Sequence, residues 1–192
     1  MRGNRSTSYA VLVAALAVTS LAACGSSSDG GPSSSSTGTT SSTTASPAPT
    51  SAGQGDLQLR QATSAQTPAA QACTSGPVAP ETPTYRCDRD GAGYQLGPAF
   101  VTGAMVASAQ AQMTASGPVV EVVLNPVGTK ALAAATTRMA ALGPPGNLLG
   151  TMSGGQLYGA PQVQSPVVDG VFVIGGLANM PDAVSLAASI RG

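Results

Sequence analysis

The chain has 192 residues, eight basic and eight acidic side chains and no histidine, tryptophan-free and with only two phenylalanines. Its positive charges are spread thinly, so no basic patch is available to neutralise phosphates, which argues against nucleic-acid binding. Without histidine, a Ser-His-acid triad is excluded, and two isolated cysteines cannot complete a four-ligand zinc site.

The N-terminus reads as an export signal. Arg2 and Arg5 precede an apolar stretch from Tyr9 to Ala23, and small residues lead into Cys24. The apolar run is shorter than the roughly 20 residues that cross a bilayer as a helix, and no later segment comes closer, which argues against a polytopic membrane protein. "LAAC" resembles the lipobox of bacterial lipoproteins, in which cleavage falls before the cysteine and lipid is attached to it. The resemblance implies a signal peptide over residues 1–23, lipidation of Cys24 and a location outside the cytoplasm, held to the membrane by lipid. Loss of Arg2 and Arg5 then leaves a slightly acidic mature chain.

Residues 24–55 are rich in Ser, Thr, Gly and Pro and lack side chains that could form a core. Such a segment cannot offset its own ordering entropy and is expected to act as a disordered tether, with a reach of roughly 30 Å as a flexible coil. If Cys24 is acylated, Cys73 and Cys87 remain as a pair in an oxidising compartment and are expected to form a disulfide.

Apolar patterning runs from residue 56 to 192 and sets one domain. "QLRQATSAQ" can begin as a strand, and the Pro-rich interval 67–84 reads as a loop. "GYQLGP", "ASAQAQM" and "VVEVVL" read as extended segments, the last two forming a hairpin over residues 109–124. Its edge, with outward N–H groups at Gln110 and Gln112, is a candidate for adding a partner strand. Asn125 and Pro126 open a helix with Leu132, Ala135, Met139 and Leu142 as its inward stripe. "LLGTMSGGQLYGAPQV" reads as strand, Gly-Gly turn, strand, and the apolar run "VFVIGG" as a central strand buried on both faces. Asn179 caps a last helix, with Asp182 three residues on and Ala183, Ala187 and Ile190 facing inward. The strand, helix, strand order over 119–153 implies a right-handed crossover. The fold class is α+β, a small mixed sheet with helices on one face, similar to a ferredoxin-like plait.

Two short motifs carry no chemistry as they stand. "CDRDGAG" holds Asp88 and Asp90 but lacks the later ligands of a calcium loop and reads as a polar turn. "GTMSGG" is not a nucleophile elbow. No catalytic residue, cofactor or metal site is assigned, and the chain is expected not to be an enzyme.

"YQLGPAFVTGAMVASAQAQM", "VVEVVLNPVGTKALAAATTRMA", "GGQLYGAPQVQSPV" and "VFVIGGLANMPDAVSLAASIRG" resemble, in this order, the head part of the first extracytoplasmic domain of SecD, the accessory subunit of the bacterial Sec preprotein translocase. Gly97, Pro98, Thr102, Gly103, Asn125, Gly128, Ala160, Pro161, Gly175, Ala183, Leu186 and Arg191 carry the match, which spans residues 94–192. SecD proteins have six membrane helices and intramembrane charges for proton-coupled motion, and this sequence shows neither. The resemblance therefore implies the receptive part alone: a non-catalytic module holding exported polypeptides or contacting Sec components. The alternative is a structural or small-ligand-binding envelope lipoprotein that reuses the fold.

Overall fold

The computed structural model describes residues 55–192. The expected signal peptide, Cys24 and all but the last residue of the tether lie outside them. The elements run β1 (Gln58–Gln66), β2 (Thr84–Cys87), β3 (Gly93–Thr102), a 3-10 turn (Gly103–Met105), β4 (Val106–Thr114), β5 (Gly117–Leu124), α1 (Pro126–Ala140), β6 (Leu149–Ser153), β7 (Gln156–Gly159), β8 (Val171–Ile174) and α2 (Met180–Arg191).

Local signals place most of these elements. Asn125 Oδ1 accepts from Gly128 N–H at 3.0 Å with Pro126 at the first helical position, so two of the orphan groups at the start of α1 need no partner from elsewhere. Asn179 Oδ1 accepts from Asp182 N–H at 2.9 Å and starts α2 in the same way. Gly154 and Gly155, both at positive φ, make the two-residue turn between β6 and β7. Leu132, Ala135 and Met139 are buried on α1 as the spacing predicts, whereas Leu142 lies beyond the end of the helix and is exposed.

The sheet arrangement departs from the expected plait. There are two sheets, ordered β2-β3-β1-β6-β7 and β4-β5-β8, and every pairing in them is antiparallel. The sheet is therefore not mixed. β5 and β6 lie in different sheets, so α1 joins two sheets rather than making a crossover within one. Both helices pack on β5 of the three-stranded sheet, α2 also on β4, while α1 reaches across to β3 of the other sheet. In the five-stranded sheet the edge strands β2 and β7 touch, so the sheet curls into a half-barrel. β8, expected at the centre of a sheet, is an edge. Val173 is 57% exposed while Ile174 is buried, the alternation of a strand covered on one face.

The main core lies between the sheets and the helices. Leu57, Leu59 and Val101 meet Val120, Val122 and Leu124 there, closed by Leu132 and Met139 of α1 and Leu186 and Ile190 of α2. Glycines allow the closest approaches. A Cβ on Gly103 would fall 1.4 Å from Gly55 O, and one on Gly128 would fall 2.8 Å from Met105 Cβ. Both positions belong to the motifs singled out in the sequence.

Arg60 is fully buried yet satisfied. Its Nε–H and Nη2–H donate to Gln58 Oε1 at 2.9 and 2.6 Å, Nη1–H groups to Thr82 O and Gly97 O at 2.7 and 2.8 Å, and a second Nη2–H to Ala79 O at 3.0 Å. The guanidinium thereby fastens the Pro-rich loop onto β1 and β3. Burial lowers its pKa, and the nearby Arg86 charge pushes the same way.

Candidate functional site

The hydrogen-bond phase of the three-stranded sheet decides which main-chain groups are free. β4 and β5 are joined by the two residues Ala115 and Ser116, with Thr114 opposite Gly117 as the closing pair. Along an antiparallel ladder alternate residues bond the neighbour, so Thr114, Gln112, Gln110 and Ser108 turn their N–H and C=O toward β5. The expectation of outward N–H groups at Gln110 and Gln112 is thus reversed: the outward residues are Ala109, Ala111 and Met113. That edge is partly sealed, because Arg191 Nη1–H donates to Ala109 O at 2.6 Å and α2 packs along β4.

At the opposite edge, Leu124 N–H donates to Gly170 O at 2.9 Å, which sets the phase so that Phe172 and Ile174 bond β5. Val171 and Val173 therefore turn their main-chain groups away from the sheet. Asp169 Oδ1 takes up the N–H of Val171 at 3.2 Å. The N–H and C=O of Val173 face the side where the sheet ends.

A groove of about 250 Å³ runs beside this edge, lined by Val173, Ile174 and the following Gly175 on one side and by Thr151, Tyr158, Gly159 and the loop residue Pro161 on the other. Tyr158 is shared with a second, more polar groove of about 340 Å³, bordered by Arg89, Gln156 and the α2 residues Asp182, Ser185, Leu186 and Ser189. Arg89 lies over the Tyr158 ring, 5.2 Å from its centroid, and donates to Gly176 O at 3.1 Å. Burial raises the Tyr158 pKa, the Arg89 charge opposes this, and Asp56 and Asp182 add to it, so the phenol is neutral at physiological pH.

Below the polar groove, Ser153 and Ser189 hydroxyls donate to Asp56 Oδ1 at 2.6 and 2.7 Å and lie 3.0 Å apart. This cluster fastens the start of the domain to the β6–β7 turn and to α2. Neither serine faces a histidine, the chain having none. The Asp88 carboxylate is occupied by its own loop, accepting from Asp90 N–H at 3.0 Å, Ala92 N–H at 2.9 Å and Tyr94 O–H at 3.0 Å. Burial, reinforced by that hydrogen bond, pushes the Tyr94 pKa up to about 12.

Cys73 and Cys87 are bridged, with their Cα atoms 5.5 Å apart, and β2 is thereby stapled to the Pro-rich loop. Arg86 reinforces the staple by donating to Thr74 Oγ1 and, at 2.8 Å, to Gly76 O. Cys24 lies outside the described residues. Pro161 and Gly175, motif residues 14 positions apart in the sequence, meet at the apolar groove. Tyr158, Val173 and Arg89 were assigned no functional role from the sequence. No helix among the described residues is long and apolar enough to cross a membrane.

A search of curated proteins gives no match. A solved structure of SecDF, described as a membrane component that enhances protein export, aligns at 22% identity and a TM-score of 0.49, covering 73% of this chain and 63% of that one. A second, SecDF in a super-membrane-facing form, aligns at the same identity and TM-score over 73% of this chain and 19% of that one. This chain thus spans less than two thirds of either. Residues 81–192 match the SecDF P1 head subdomain, and the chain belongs to that family.

Proposed function

We propose that the protein is a non-catalytic binding module of protein export, held outside the cytoplasm by lipid on Cys24 and receiving exported polypeptides. The observation that carries this reading is the family match over residues 81–192, which covers the whole second sheet, both helices and both grooves. The Cys73–Cys87 bridge supports an oxidising compartment, and the sequence around Cys24 supports the anchor. Two acyl chains on a diacylglyceryl cysteine give stable attachment, where one would bind only marginally. The composition of positions 24–55, rich in Ser, Thr, Gly and Pro, supports a spacer between anchor and head.

The test is purification of the chain from crosslinked membranes of its native host. Sec components and exported chains are expected in the eluate from wild type and not from a mock purification of untagged cells. Their absence from the wild-type eluate overturns the export reading.

A further inference from the structure

β-Strand edges that stay open in native proteins are normally blunted by charge, proline or a covering element. In the second sheet the β4 edge is blunted at Ala109, whose carbonyl accepts from Arg191 of the neighbouring α2. The β8 edge is capped only at its start, where Asp169 accepts from Val171 N–H, and is open at Val173, which is exposed and whose N–H and C=O point out of the sheet where its strand order ends. Space is kept open beside it. A Cβ added at Gly159 or Gly175, on either side of the apolar groove, would meet nothing within 4 Å. Pro161, on the far side, has no N–H to offer a strand of its own.

We propose that an extended polypeptide segment adds to this sheet as a fourth strand along β8, lying in the apolar groove and continuing over Tyr158 toward Arg89. The proposal rests on the reading of the chain as a receiver of exported polypeptides, and adds the place and the mode. The occupant is defined by chemistry that the edge can recognise. Main-chain groups of the segment pair with those of Val173, a small apolar side chain enters beside Gly175, and a carbonyl or carboxylate meets the guanidinium of Arg89. Among the described residues Arg89 donates only to Gly176 O, so its other N–H groups are available. Recognition through the main chain tolerates many sequences, excludes proline at the paired position, and ignores folded proteins whose strands are already paired.

The experiment is a titration of the ¹⁵N-labelled full chain with reduced, carboxymethylated ribonuclease A, permanently unfolded, and with native ribonuclease A. Shifts are expected at residues 158–161 and 171–176 with the unfolded probe alone. Gly175→Leu places a side chain in the groove where an added Cβ meets nothing within 4 Å, and should weaken binding about tenfold by excluding the segment. Val173→Pro removes the outward N–H and should do the same. Should that variant fail to fold, Gly175→Leu decides. Gln110→Ala, on the exposed face of β4, should bind as wild type does. If wild type binds but Gly175→Leu binds equally well, or the shifts fall on residues 108–114, this docking mode is overturned while the polypeptide reading stands. If wild type binds neither probe, both are overturned.

Discussion

The two sheets treat their edges in opposite ways. The five-stranded sheet curls until β2 and β7 touch, and a disulfide and a buried arginine hold the loop beside them. The three-stranded sheet ties β4 to Arg191 at Ala109 and leaves β8 open to a groove at Val173. The comparison teaches that polar ties are concentrated where the chain closes on itself, and that the proposed docking edge lies where they thin out. The second sheet is held chiefly by apolar packing of Val120, Val122 and Ile174 in the core shared with α1 and α2, with a lighter polar tie at Arg191.

Removing a closure should therefore cost most in the first sheet. Arg60→Met strands four oxygen acceptors, three of them carbonyls, and is expected to destabilise by about 3–5 kcal/mol, read as a lower urea midpoint. An unchanged midpoint would show that the loop holds without the guanidinium. Reducing Cys73–Cys87 comes next, at about 3 kcal/mol for a loop of this length. Both thiols should resist alkylation until reductant is added.

Smaller effects sharpen the contrast in the second sheet. Arg191→Ala frees Ala109 O and should cost about 1–1.5 kcal/mol, with faster amide exchange at Ala109 and Ala111 but not at Val120. Asn125→Ala removes the α1 cap and should cost about 1 kcal/mol by the same denaturation measurement.

A further effect is in pH dependence. The folded-state pKa of Tyr94 is raised from 10.0 to about 12, so its contribution is complete below pH 10 and is lost as pH rises through 12. The melting temperature should fall over that window, and fall less in Tyr94→Phe. Equal losses in both would assign the slope to other groups.

Local structure was legible in the sequence where a side chain bonds its own neighbourhood. Asn125, Asn179 and the Gly154–Gly155 turn set boundaries within a few residues of themselves, and the hairpin of β4 and β5 followed from a short turn. Sheet membership was not legible, because β1 pairs with β6 across more than 80 residues and nothing in either segment encodes that partner. "VFVI" misled for a related reason: four apolar residues in a row fit a central strand, and only the placed sheet shows Val173 facing out. In the candidate site, Pro161 and Gly175 stood out as family motif positions, whereas Tyr158 and Arg89 become neighbours only after folding. Arg60, in "DLQLR", looks like any surface arginine until the loop carbonyls converge on it.

The central claim is that the two edges of the second sheet differ in what they touch. A photo-crosslinking amino acid at position 175 or, separately, at position 112 of the full chain, in cells exporting a labelled protein, tests it most directly. The account predicts a crosslink to the exported chain in transit from position 175 and none from position 112. Equal crosslinking from both positions, or crosslinking from position 112 alone, would contradict it.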